Sequence, residues 1–167
     1  MHAPFKDMIL IGFGASLAFG DLQPAQILTK SIPVLSHVSK IRMISTFYGT
    51  KAWPDPSDPP FLNAVVAIET DLDPRQLLSA LHEIEARFGR VRGRRNGPRT
   101  LDLDLLAYGA LQQDGPPILP HPGVASRDFV LAPLCDIAPH WRHPATGRTA
   151  QEMRDALNET DAEPHSA

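Results

Sequence analysis

Between residues 8 and 108 the apolar pattern switches between a two-residue and a 3.6-residue period, and the order of the switches leaves few folds open. The run Met8-Ile9-Leu10-Ile11-Gly12 reads as a buried strand, followed by Gly14-Ala15-Ser16 as a turn of small residues. Ile27, Leu28, Ile32 and Leu35 then recur on one face of a helix over 24–36. Strands are expected over 41–48 and 62–69. Asp73-Pro74 joins an N-cap to a proline at the first helical position, opening a helix that carries Leu77, Leu78, Leu81, Ile84 and Phe88 until Gly89 stops it. A last strand over 100–108 sets Leu101, Leu103 and Leu105 opposite Asp102 and Asp104. Strand, helix, strand, strand, helix, strand predicts an α+β fold, a ferredoxin-like βαββαβ core with a mainly antiparallel sheet in a three-layer α/β/α arrangement. Short helices are expected over 127–138 and 149–157.

A chain of 167 residues with 43% hydrophobic content and a net charge of -3 suits one compact domain, here residues 1–157. The polar, acidic segment 158–167 is expected to be a disordered tail. Seventeen prolines, about twice the average usage, lie between apolar runs and point to long ordered connections. Four of them fall in 49–60 and forbid regular pairing there. The lone Cys135 excludes an intramolecular disulfide and reads as core packing. Histidines are dispersed, with His140 and His143 set among prolines, so no zinc site is expected. The apolar run from Met8 reads as a strand rather than a secretory signal, and no segment approaches the roughly 20 apolar residues of a membrane span. The expectation is a cytoplasmic, monomeric protein with no membrane partner.

Six arginines fall within 87–99 of this net acidic chain, interleaved with glycines. Their planar forks match phosphate oxygens, so an anionic partner is implied. A solvated basic loop or a nucleic-acid patch would use the same residues. Directly downstream, Asp102 and Asp104 point to one face of a strand with Cα atoms roughly 6.5 Å apart, and a hard divalent cation would resolve their repulsion. By itself Asp-Leu-Asp is usually the polar face of a strand. Joined to the arginines, it supplies the two components a nucleotide phosphate-transfer site needs. The element Gly12-Phe13-Gly14-Ala15-Ser16 has neither the P-loop lysine nor the dinucleotide fingerprint, so any nucleotide is held another way.

Gly89-Arg90-Val91-Arg92 followed by Gly97-Pro98-Arg99-Thr100-Leu101-Asp102-Leu103-Asp104 resembles the signature of the 6-hydroxymethyl-7,8-dihydropterin pyrophosphokinase family. Ser45-Thr46-Phe47-Tyr48, Phe61-Leu62-Asn63-Ala64, Pro120-His121-Pro122 and the segment from Arg127 to Leu134 resemble further family blocks, in the family's order. The resemblance implies pyrophosphate transfer from ATP to the hydroxymethyl group of the dihydropterin, giving AMP and the pterin diphosphate on the route to folate, with two magnesium ions. By position it implies that Asp102 and Asp104 ligate the metals, and that Arg90 and Arg99 act on the phosphates. Glu85, Arg92, Arg95, His121 and Arg127 match ATP-binding positions. Thr50, Phe61, Asn63 and Phe129 match the pterin slot, where an amide can read the edge of a heterocycle and aromatic rings can stack on its faces.

Three residues depart from a pattern common in that family: Ser16 stands where asparagine is frequent, Lys51 where a proline often follows the threonine, and Asn96 where some members have a tryptophan in the arginine-rich loop. Two rival functions share the residues, a catalytically silent nucleotide-binding relative and a nucleic-acid-binding module. The latter would be expected to show aromatic residues on its central strands, in Lys/Arg-Gly-Phe-Gly-Phe patterns, which this chain lacks. Binding of nucleic acid is therefore not expected.

Overall fold

The computed structural model describes residues 7–51, 55, 57–90 and 98–165. Its elements are β1 (Ile9–Ala15), α1 (Pro24–Val34), β2 (Lys40–Ile44), β3 (Tyr48–Thr50), β4 (Phe61–Glu69), α2 (Pro74–Arg87), β5 (Asp102–Tyr108), α3 (Asp128–Ile137), α4 (Ala150–Asp155) and β6 (Glu163–Pro164). The strands form one sheet in the order β5-β1-β4-β3-β6, with β2 also against β4, and every pairing is antiparallel.

Three of the expected elements differ. Strand 41–48 is split: Ile44 lies opposite Val66 and Tyr48 opposite Asn63, so this side carries one residue more than β4 does. The amide of Thr46 turns away and donates to Asp136 Oδ2 on α3, at 2.7 Å. The expected turn at Gly14-Ala15 is the end of β1, which stays paired on both sides. The tail expected to be disordered supplies β6 and buries Ala162.

Helix starts follow the sequence closely. Asp73 Oδ1 accepts the Gln76 amide while Gln76 Oε1 accepts the Asp73 amide, both at 2.9 Å, and Pro74 occupies the first turn, where no donor is needed. Gly89 leaves α2 at φ 77°, a conformation that favours glycine.

The two faces of the sheet have different fates. On one, Ile9, Ile11, Phe13 and Ala15 of β1 meet Leu62, Ala64, Val66 and Ile68 of β4 beneath Ile27 and Leu28 of α1 and Leu77 and Leu81 of α2. On the other, Leu10, Val65, Ala67 and Leu106 pack under Leu131 and Leu134 of α3 and Trp141. A bulge between Leu10 and Ile11 lets Leu106 and Ala107 both serve this second core. Cys135, half-buried, packs against the same cluster. Further along this second face the strands carry Gly12, Gly14, Asn63, Asp102 and Asp104, and there a cleft opens.

His143 lies behind Trp141, buried, with Nδ1 accepting the amides of Ala145 and Thr146 at 3.1 and 3.3 Å. Burial holds its pKa below the ordinary histidine value. A depressed folded pKa means that the stability it contributes is complete above the unfolded pKa of about 6.5 and is lost as pH falls through the folded value. His143→Asn should therefore be less stable than the parent at pH 7 yet lose less on acidification to pH 5. Urea midpoints at the two pH values check this, and parallel losses would reject it.

Candidate functional site

The cleft opens to solvent between the glycine-bearing part of the sheet and the start of α3. Its floor is made by sequence-distant residues brought into rows by strand pairing. Asp102 lies opposite Gly14, which lies opposite Asn63; Asp104 lies opposite Gly12, which lies opposite Val65. The glycines keep the floor open. A Cβ on Gly14 would meet Asn63 Oδ1 at 3.1 Å, and one on Gly12 would meet a Leu106 methyl at 3.3 Å.

Asp102 Oδ1 accepts from Arg90 Nη1 at 2.7 Å and from Arg99 Nη1 at 3.0 Å. Arg90 Nη1 also reaches Glu85 Oε2 at 2.5 Å, and that same oxygen accepts the Leu103 amide at 2.8 Å. Glu85, buried on α2, thus backs the arginine that faces Asp102, although burial pushes its own pKa up.

Asp104 has no comparable partner among the described residues. Burial and the neighbouring charge of Asp102 push its pKa up to about 7. His121 Nε2 stands 3.8 Å from Asp104 Oδ1, but burial and the Arg127 charge lower the His121 pKa. His121 Nδ1 accepts the Gly123 amide at 3.0 Å, which places the proton of the neutral ring on Nε2, towards Asp104.

Two carboxylates on one face, one of them destabilised as an anion, form a donor set suited to a hard divalent cation that completes its shell with phosphate oxygens and water. Among the described residues no group of three or more His, Cys, Asp or Glu side chains could hold a metal. The aspartate pair would therefore need ligands from a substrate.

Arg99 is fixed through its backbone. Its carbonyl accepts the amides of Ser16 and Leu17 at 2.9 and 3.0 Å, and its own amide donates to Ser16 Oγ at 3.1 Å. Ser16, one of the departures from the family pattern, thereby seats the arginine. Across the floor, Asn63 Nδ2 donates to Thr50 Oγ1 at 3.2 Å, and both side chains are buried. Phe61 and Phe129 line the same cleft, as does Lys51, and the Arg127 guanidinium lies 5.6 Å from the Phe129 ring centre.

Of the residues expected at the site, Thr50, Phe61, Asn63, Arg99, Asp102, Asp104, Arg127 and Phe129 line one cleft, and Glu85, Arg90 and His121 border it through the aspartates. Arg92, Arg95 and Asn96 lie outside the described residues. Sequence reasoning weighed Gly12, Gly14 and Ser16 only as a nucleotide loop, a turn and a departure from the family pattern, and left them out of the site. Glycines two apart on a strand, on the same face, were the available signal.

The family described as 7,8-dihydro-6-hydroxymethylpterin-pyrophosphokinase matches residues 10–139. A 2-amino-4-hydroxy-6-hydroxymethyldihydropteridine pyrophosphokinase of Methylorubrum extorquens is 45% identical over 132 residues, covering 77% of this chain and 81% of that one. The Pseudomonas aeruginosa protein of the same name is 36% identical over 148 residues, covering 87% and 88%. The Synechocystis protein of that name is 38% identical over 120 residues, 71% of this chain and 61% of its own length. A crystal structure of Plasmodium falciparum HPPK-DHPS superposes with a TM-score of 0.65 at 13% identity, over 89% of this chain and 44% of that much longer one, a likeness of fold. No helix among the described residues is long and apolar enough to cross a membrane. With the family matched across more than three quarters of its length and the cleft residues falling inside that match, the chain belongs to the 7,8-dihydro-6-hydroxymethylpterin-pyrophosphokinase family.

Proposed function

We propose that the chain transfers pyrophosphate from ATP to the hydroxymethyl group of 6-hydroxymethyl-7,8-dihydropterin. The substrate oxygen forms a bond to the β-phosphorus, the bond from that phosphorus to the oxygen it shares with the α-phosphate breaks, AMP leaves, and the hydroxyl proton is lost to solvent. The observation that carries this reading is the pairing of Asp102 and Asp104 on an open glycine floor, with an amide and two aromatic rings in the same cleft. Two magnesium ions held by Asp102 and Asp104 would supply charge neutralisation at the phosphates.

The remaining work falls to the side chains. Arg99 and Arg90, already turned to Asp102, bind developing charge on the transferred phosphates. Arg127 and the Nε2–H of His121 bind the nucleotide, joined by Arg92 and Arg95. Glu85 acts on the nucleotide by holding Arg90. On the other side, Asn63 with Thr50 reads the pterin edge, while Phe61 and Phe129 flank the ring. The chain works as a cytoplasmic monomer, without nucleic acid.

Incubation with ATP, magnesium and the hydroxymethyl dihydropterin, followed by assay of AMP, tests the proposal. Pterin-dependent AMP release is the expected result. Nucleotide binding without AMP would identify a silent relative, and binding of RNA with neither would identify a nucleic-acid module.

A further inference from the structure

Asp128 lies between two residues of the cleft, Arg127 and Phe129, but its own carboxylate faces the other way. The side chain is 6% exposed, with Oδ1 accepting Arg154 Nε of α4 at 3.1 Å and Oδ2 accepting the Ala162 amide at 2.9 Å. Both oxygens of a buried anion are thus satisfied, one by a charged donor, an arrangement that fixes geometry firmly.

The same C-terminal segment holds the opposite wall. Glu163 and Pro164 pair with Gly49 and Tyr48, and the His165 amide donates to the Phe47 carbonyl at 2.7 Å. Ala162 packs with Tyr48 of β3 and Ala132 of α3. β3 is three residues long and is bonded to β4 on one side; without β6 its other edge would be open. Thr50, which closes β3, is the residue that binds the Asn63 amide. Arg154 and Ala162 both lie beyond residue 139, where the family match ends.

We propose that residues 160–165 are a positioning strap for the substrate slot. By tying β3 to the first turn of α3, they set the gap between the Thr50–Asn63 wall and the Phe129 ring, which a flat heterocycle must fit. The proposal rests on the reading of Thr50, Asn63 and Phe129 as the pterin slot.

The test uses the full chain with Ala162→Asp, which sets a second carboxylate against that of Asp128, and the milder Arg154→Gln, which removes one of its two donors. Three quantities are read: affinity for the hydroxymethyl dihydropterin in the presence of magnesium and a non-hydrolysable ATP analogue, affinity for that analogue alone, and hydrogen exchange at the Val130 and Leu131 amides, which bond to the Arg127 carbonyl. Ala162→Asp should weaken pterin binding about tenfold or more, since small misplacements in a slot are costly, with a several-fold smaller fall in analogue affinity, felt through Arg127 alone, and faster exchange at both amides. Arg154→Gln should move the same readouts in the same direction by less, and it decides the matter if Ala162→Asp loses its cooperative unfolding. Unchanged pterin affinity in a folded variant, or an equal fall in both affinities, would overturn the strap. If the parent chain binds no pterin while exchange at Val130 still depends on Ala162, the slot reading fails and the tie between the strap and α3 stands.

Discussion

Asp104→Ala should abolish pterin-dependent AMP formation while leaving the protein folded. The side chain lines the open cleft and belongs to neither hydrophobic core, so its loss empties neither of them. Its anionic form is disfavoured by burial and by Asp102, so without a cation its removal relieves repulsion. The magnesium-free melting temperature should therefore hold or rise. Function moves the other way. A site that would hold its phosphate-neutralising cations on two carboxylates is left with one, and losing several kcal/mol of transition-state stabilisation, at about 1.4 kcal/mol per tenfold, costs on the order of a thousandfold or more. AMP release with saturating ATP, magnesium and pterin, alongside thermal melts, checks both halves. Near-normal turnover would remove Asp104 from the chemistry.

Arg99→Ala should lower turnover by about a hundredfold to a thousandfold while weakening ATP binding far less. Its guanidinium is held against Asp102 at 3.0 Å, and its backbone is clipped to Ser16 and Leu17, so it is placed before any ligand arrives. A preplaced cation pays little reorganisation as charge develops, and its effect therefore falls on the chemical step. Arg99→Lys should recover only part of the loss, because an ammonium lacks the planar fork. Single-turnover AMP formation and nucleotide titration separate the two effects. A large rise in the nucleotide dissociation constant with turnover intact would make Arg99 a binding residue alone.

The βαββαβ order was legible because each period runs long enough to be counted and because Asp73-Pro74 and Gly89 mark the ends of α2 by local chemistry. The aspartate pair was legible for the same reason, a two-residue spacing on a strand whose other face is leucine. Features that depend on distant partners were not. The break at Ser45–Phe47 exists because Asp136 on α3 accepts the Thr46 amide. The tail is polar and reads as solvated, yet backbone groups seat it, the Ala162 amide on Asp128 and the edge of β3, and side-chain composition carries no trace of that. Gly14-Ala15-Ser16 read as a turn, since the need for bare backbone at Gly12 and Gly14 arises only when Asp104 and Asp102 arrive opposite. Glu85 matched a nucleotide position, while its oxygen is engaged by Arg90 and Leu103, which no spacing rule reveals.

The cleft floor is stitched from residues 12–14, 63 and 102–104, with residue 50 at its edge, and no two of these neighbouring strands follow each other directly along the chain except β3 and β4. An N-terminal fragment that stops before β5 contains no carboxylate floor at all, and partial pairing leaves it unassembled. Recovery of turnover during refolding is therefore a clock for the slowest long-range registration in the sheet rather than for helix formation. Because substrates bind only the finished sheet, their presence also acts as a ratchet, drawing late intermediates forward by mass action.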